Sequence, residues 1–216
     1  MKPVIIAIDG VDYAGKSTIV GRLKEHFSAA GYRVETVNFP TGEGYGKKAR
    51  KAFVDGDVSY TAECMVRNFV EVMDELQALD GPDLIIYDRH ILSTVANQGL
   101  LQAHPHAVEF GAYTHEYAPQ QYYVMTLPYA VAEERAMERA EEQGLGWDDG
   151  MTEKHLASEE RWVALNRSYA NGAQALANNM ASTSFHNPQC HNQHVIDASF
   201  ASMCMNISAS LEKATA

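Results

Sequence analysis

Residues 3–18 read PVIIAIDGVDYAGKST, and three signals follow one another there without a gap. Pro3 to Ile8 is a short, wholly apolar, β-branched run ending near a glycine, the pattern of a strand covered on both faces in a parallel sheet. Gly10-Val11-Asp12-Tyr13-Ala14-Gly15-Lys16-Ser17 then has the spacing G-x-x-x-x-G-K-[ST]. Ile19, Val20, Leu23, Phe27 and Ala30 recur at helical spacing, and Gly31 stands where a C-terminal cap belongs. A buried strand, a glycine-rich loop and an amphipathic helix in that order form a cradle for phosphate. The glycines let the backbone curl so that successive N–H groups point inward, and the helix start adds the positive end of its dipole.

The residues of this loop, Gly10, Asp12, Tyr13, Ala14, Gly15, Lys16, Ser17 and Thr18, are therefore the expected nucleotide-binding set. Lys16 is expected to reach the outer phosphates of ATP, and the Ser17 hydroxyl to sit on Mg²⁺.

Further strands are expected at residues 33–39, halted by Pro40, at 84–87, running into Asp88-Arg89-His90, at 122–127, ended by Pro128, and at 194–197. Helices are expected at 61–79, where Met65, Phe69, Val72, Leu76 and Leu79 share one stripe, at 130–142, and over roughly 153–176. Residues 144–150 read as a loop. Residues 177–194, rich in Asn, Gln, Ser and His, read as a solvated excursion; Cys190, His186, His191 and His194 lie in it without a zinc-ligand spacing, so a polar loop is the better reading. Strands alternating with helices predict an α/β, three-layer P-loop fold: a central parallel sheet of about five strands, helices on both faces, and a lid over roughly 135–152. The whole chain, 1–216, is expected to form one domain, and the length of 216 residues with 46% hydrophobic content suffices for one core.

Lys and Arg number 17 against 28 Asp and Glu, a formal net charge of −11. A field of that sign repels a nucleic-acid polymer, whereas a small anionic substrate needs only a local basic pocket. The apolar start is too short for a signal peptide or membrane span, and three cysteines without close pairing suit a reducing, cytoplasmic compartment.

The stretch IAIDGVDYAGKST at 6–18, taken with YDRHILSTVANQG at 87–99 and the Phe39-Pro40 pair between them, resembles the thymidylate kinase family over about residues 1–140. The first resembles the family's phosphate loop, with an acid two places after the first glycine; the second resembles its Asp-Arg-Tyr/His signature ending in Tyr-Gln-Gly. The resemblance implies transfer of the ATP γ-phosphoryl group to a deoxynucleoside monophosphate, with Mg²⁺. It implies that Asp12 contacts the acceptor sugar, that Arg89 lies between acceptor and donor phosphates, and that Asp88 is the carboxylate near the metal. Arg67 and Gln98 are implied to read the base, with Phe39 beside the acceptor. Phosphoryl transfer depends on positioning and positive charge more than on a nucleophilic side chain, which suits these residue types. Members of the family are usually dimeric, so a homodimer is an expectation, with the apolar face of 61–79 either at its interface or in the core.

The chain also departs from the family pattern. Glu63 stands where an aromatic usually stacks on thymine; a carboxylate cannot stack, although it accepts hydrogen bonds from an amino group. Asn97 replaces the tyrosine before Gln98, leaving sugar preference open. Thr41 and Gly42 replace the arginine after Phe-Pro, so Lys47, Lys48 or Arg50 is left to meet the acceptor phosphate. Tyr13 holds the loop position where an arginine can stand, and the lid sequence AEEQGLGWDDGMT after Arg139 is acidic, which leaves Arg135 or Arg139 as the charge-stabilising arginine. Arg139 can instead stack on adenine, and Trp147 either covers the site or anchors its loop. Two alternatives stand beside the monophosphate kinase: a kinase acting on a nucleoside or modified base, and a degenerate kinase that only binds nucleotide. Tyr113, His115 and Tyr117 carry no assignment.

Overall fold

A computed structural model describes residues 2–77, 81–109, 118–142, 144, 156, 158–178, 180, 183–188 and 190–215. Its centre is a five-stranded sheet in the order β2-β3-β1-β4-β5. The strands are β1 (Val4–Gly10), β2 (Val34–Asn38), β3 (Leu84–Asp88), β4 (Gln121–Met125) and β5 (Ser184–His186). Every pairing is parallel. β1, β3 and β4 are buried along their whole length, as the continuous apolar runs require. Around the sheet pack α1 (Lys16–Ala29), α2 (Gly44–Asp55), α3 (Val58–Gln77), α4 (Ile91–Gln98), α5 (Leu100–Glu109), α6 (Tyr129–Glu142), α7 (Glu159–Ala177) and α8 (Gln193–Thr215).

β1 lies between β3 and β4: the chain passes from β1 to the outer edge at β2, returns inward to β3, and then crosses to β4 and β5 on the other side. In such a sheet the loops after neighbouring strands diverge at the carboxyl edge and leave a crevice for ligand. Because the strands are parallel and in register, with Ile8 opposite Asp88 and Gly10 opposite Met125, the phosphate loop, the 88–90 turn and the 126–128 turn emerge side by side.

α1 buries Ile19, Val20, Leu23 and Phe27, and Gly31 follows its end at φ 92° while its N–H donates to the Ser28 carbonyl at 3.0 Å. α3 puts Phe69, Val72 and Met73 into the core, with Met65 and Leu76 half-buried, so much of its apolar stripe is used inside the fold. Ser158 caps α7 by accepting from the Arg161 N–H at 3.3 Å.

Two expectations fail at the C-terminal end. Residues 194–197 are helical, part of α8, and the fifth strand is Ser184–His186 inside the segment expected to be a solvated excursion. Phe185 stacks on Tyr122 at 5.0 Å between ring centroids, and His186 stacks on Tyr123 at 5.0 Å. Cys190, in the same segment, is buried. Contact with the β4 side chains holds this short edge strand, whereas α8 is held by Met203, Ile207 and Leu211 in the core. Of the lid expectation, 135–142 are the end of α6, and Trp147 with most of 143–152 lies outside the described residues. Tyr113, His115 and Tyr117 also lie outside them. Among the described residues no helix is long and apolar enough to cross a membrane.

Candidate active site

The phosphate loop leaves β1 through Gly10, at φ 132°. A Cβ on Gly10 would sit 2.0 Å from the Met125 carbonyl oxygen, so the close passage of β1 against β4 admits only glycine. The Val11 N–H bonds that same carbonyl at 3.2 Å. Tyr13 takes φ 60° and Gly15, at φ 82°, caps α1.

Around this loop opens a cleft of about 650 Å³. The residues from Asp12 to Thr18 line it, together with Arg22, Asn38, Asp88, Arg89, Arg135, Glu138, Arg139, Gln193 and Ile196. Most of the residues expected to act on the phosphates thus meet in one place. Phe39, Glu63, Arg67, Asn97 and Gln98 are not among its lining residues, and Gly10 is buried beneath it.

Lys16 is buried and donates to the Val11 carbonyl at 2.6 Å, with the Asp12 carboxylate 3.8 Å away. Burial, and then the nearby charge of Arg89, push its pKa down to about 8. Ser17 Oγ donates to Asp88 Oδ2 at 2.7 Å, and Asn38 Nδ2 donates to the same oxygen at 3.1 Å. A hydroxyl and a carboxylate on one spot at the mouth of a phosphate loop make a hard oxygen donor set, which fits Mg²⁺ shared with a polyphosphate. Among the described residues no group of three or more His, Cys, Asp and Glu is arranged to hold a metal ion.

Arg89 sits at φ 73° just past β3, its N–H bonded to the Ile8 carbonyl at 2.9 Å. Its guanidinium pairs with Asp12 and lies 3.5 Å from Ser93 Oγ. Burial acts to lower the Arg89 pKa, but Asp12, and beyond it Tyr169 and Asp9, outweigh it, so the group stays charged. Beneath Arg89 lies Asp9, fully buried. It accepts from the Gly10 N–H at 2.9 Å, the His90 N–H at 3.0 Å, the Ser93 N–H at 3.1 Å and Ser93 Oγ at 2.5 Å. Burial raises the Asp9 pKa against these bonds. Ser93 Oγ is also 3.1 Å from the Tyr169 hydroxyl of α7, which receives an Asn97 amide hydrogen at 3.4 Å.

A second group stands on α2 and α3. Glu63 Oε1 lies 2.9 Å from Arg67 Nε, and Arg67 donates to the Tyr45 hydroxyl at 3.0 Å. Asn68 and Thr41 exchange two hydrogen bonds, at 2.9 and 2.8 Å, holding the turn after Pro40 against α3. Arg50 donates to the Pro40 carbonyl at 2.6 Å, and Lys48 lies over the Tyr45 ring at 4.2 Å. The Phe39–Pro40 peptide is cis. Phe39 is buried and lines a small apolar hollow with Met65, Val66, Phe69, His90, Ile91 and Thr94. His90 there is neutral, its pKa pushed down to about 3 by burial.

Of the two arginines left for charge stabilisation, Arg135 is engaged. It donates to the Tyr13 carbonyl at 2.9 Å and to the Cys190 carbonyl at 2.7 Å. Arg139, one turn on, is exposed at the cleft. Sequence reasoning missed Asn38, Asp9 and the role of Arg135. Two signals were present: a polar residue at the carboxyl end of a parallel strand belongs to the ligand edge, and an acid inside an apolar run must have partners.

The chain is similar to known proteins. The family model "Thymidylate kinase" matches residues 8–161. A thymidylate kinase from Idiomarina loihiensis is 32% identical over 159 residues, covering 67% of this chain and 73% of that protein. One from Xanthomonas oryzae pv. oryzae (strain PXO99A) is 40% identical over 105 residues, covering 46% of each. The chain thus spans about half the length of several curated relatives it matches. A solved thymidylate kinase structure from Candida albicans superposes with a TM-score of 0.67 at 16% identity, over 97% of this chain and 92% of that one, and so shares the fold. With the family model covering residues 8–161 and a relative 32% identical over 67% of the chain, the chain belongs to the thymidylate kinase family.

Proposed function

We propose that this protein transfers the γ-phosphoryl group of ATP to a deoxynucleoside monophosphate, dTMP or a related deoxynucleotide. The observation that carries the reading is the convergence in one cleft of Lys16, the Ser17–Asp88 pair and the Arg89–Asp12 pair. An oxygen of the acceptor phosphate attacks the γ-phosphorus, the bond from that phosphorus to the β–γ bridging oxygen breaks, and ADP and the nucleoside diphosphate result. Lys16 and the loop N–H groups hold the donor phosphates. Arg89, charged and aimed by Asp12 and Ser93, meets the negative charge of two phosphates brought together. Mg²⁺, held by Ser17 and Asp88, would offset charge on the donor phosphates. Arg139, exposed on the cleft wall, supplies the remaining positive charge. Acceptor phosphate rather than free nucleoside is favoured because the site concentrates cations. Beside Arg89, Asp12 is already bound to two of them.

On the acceptor side, Phe39, Glu63, Arg67, Asn97 and Gln98 form the base and sugar wall in this reading. Glu63 is paired to Arg67 rather than presented alone. The test is a coupled assay of ADP release with Mg²⁺ against a panel of nucleoside and deoxynucleoside monophosphates, with the matching nucleosides and a no-acceptor control. Strong stimulation by a deoxynucleoside monophosphate is expected; preference for a nucleoside, or ATP binding without acceptor-dependent turnover, overturns the proposal.

A further inference from the structure

Arg135 lies on α6, half-buried at the edge of the phosphate cleft, yet both of its terminal nitrogens are directed at backbone. Nη1 bonds the Tyr13 carbonyl at 2.9 Å and Nη2 the Cys190 carbonyl at 2.7 Å. Tyr13 is the phosphate-loop residue at φ 60°, a region that a Cβ disfavours, so something outside the loop must hold it there. The peptide between Tyr13 and Ala14 is planar and trans, so its C=O and N–H point in opposite directions. Holding the Tyr13 oxygen on a cation therefore also fixes the direction of the Ala14 N–H, opposite to it. The second carbonyl adds a strut. Cys190 is itself fixed, its Sγ bonded to the Thr126 carbonyl at 3.2 Å, just past β4. One guanidinium thus joins α6, the phosphate loop and the segment leading into α8, which contributes Gln193 and Ile196 to the same cleft.

We propose that Arg135 is a positioning residue for donor binding: it orients a phosphate-loop peptide and braces that loop against the Cys190 backbone, instead of touching the transferred phosphoryl group. The inference rests on the kinase reading above and deepens it at the donor side. A planar fork with two parallel donors performs this task and an ammonium does not, because a point charge on a flexible stem cannot hold two carbonyls in a fixed relation.

The experiment is calorimetric binding of ADP and of inorganic tripolyphosphate to the wild type, Arg135→Lys and Arg135→Met, with steady-state kinetics on the same samples and thermal unfolding to establish that each is folded. The expected result is weakening of both ligands by about tenfold in Arg135→Met and nearly as much in Arg135→Lys, the scale of one or two lost hydrogen bonds to a charged group. KM for ATP rises, while KM for the acceptor and kcat at saturating ATP hold. Full binding in Arg135→Lys overturns the proposal, because charge alone then suffices. A loss confined to ADP, with tripolyphosphate unaffected, overturns it in favour of an action at the nucleoside end. Unchanged binding with a fall in kcat makes Arg135 a catalytic residue and also overturns it. If Arg135→Met does not fold, Arg135→Lys carries the same comparison. Failure of the kinase reading shows separately, as absence of acceptor-dependent turnover in the wild type, since the binding measurements need no turnover.

Discussion

Glu63 and Arg67 form an ion pair across one turn of α3, Oε1 to Nε at 2.9 Å, with Tyr45 on the other side of the guanidinium. Both side chains are about a third exposed, so the pair adds little to stability. In the proposed reading its effect is on recognition: the Glu63 carboxylate offsets the charge that Arg67 could offer a base.

Replacing Glu63 with Phe removes that carboxylate and supplies a ring one turn before Arg67. We expect kcat/KM for dTMP to rise about five- to tenfold relative to dCMP, the scale of one aromatic stacking contact. The check is the ratio of the two specificity constants in wild type and variant; an unchanged substrate ranking would falsify the role given to Glu63.

Lys16→Ala is expected to abolish phosphoryl transfer. In the wild type, the Lys16 pKa of about 8 has two consequences of opposite sign. Between pH 8 and the unfolded value of 10.5 the unfolded chain binds more protons than the native one, so this group's contribution makes the free protein more stable as pH rises through that window. ATP, which needs the charged ammonium, binds more weakly over the same window. Calorimetry at pH 8–9 in buffers of different ionisation enthalpy should show proton uptake on ATP binding, and its absence would remove Lys16 from the phosphates.

Asn38→Ala leaves Asp88 Oδ2 with the Ser17 hydroxyl but without its amide donor. A lost partner of a metal-binding carboxylate typically costs ten- to a hundredfold in affinity or activity. We expect the Mg²⁺ concentration for half-maximal activity to rise about tenfold with little change in acceptor KM. A Mg²⁺ titration identical to the wild type would detach Asn38 from the metal site.

Gly10→Ala places a methyl 2.0 Å from the Met125 carbonyl oxygen at a φ of 132°. β1 cannot move away from β4 without losing the Val11 to Met125 bond. Destabilisation by about 3 kcal/mol or more is expected, measured by denaturant unfolding, together with loss of nucleotide binding in whatever folds.

The parts of the fold that were plain in the sequence are those where one physical demand dominates. β1, β3 and β4 are buried on both faces and can be only apolar runs, and α1 and α3 carry stripes of helical period. The C-terminal end was not plain. α8 is rich in Ala, Ser and Met and buries chiefly Met203, Ile207 and Leu211, too sparse a stripe to outweigh the β-branched Val195-Ile196 pair at its start. β5 has three residues, too few for any period, and exists because Tyr122 and Tyr123 offer faces to Phe185 and His186. In the candidate site, the loop and the Asp-Arg turn were legible because their chemistry needs fixed residue types at fixed spacing. Asn38 and the carbonyl partners of Arg135 were not, since those contacts reach at least 50 positions along the chain.

Asp9, buried under the cleft with bonds to Gly10, His90 and Ser93, welds the exit of β1 to the start of α4. Lys16 and Arg89 are carried on the two arms of that weld, so their spacing is inherited from the scaffold and does not await a ligand. The Glu63–Arg67 pair on α3, proposed above to face the acceptor, stands outside it. In the proposed reading, mutational drift at that pair retunes which base is accepted while the phosphate cleft stays intact, so that new acceptors are explored one side chain at a time.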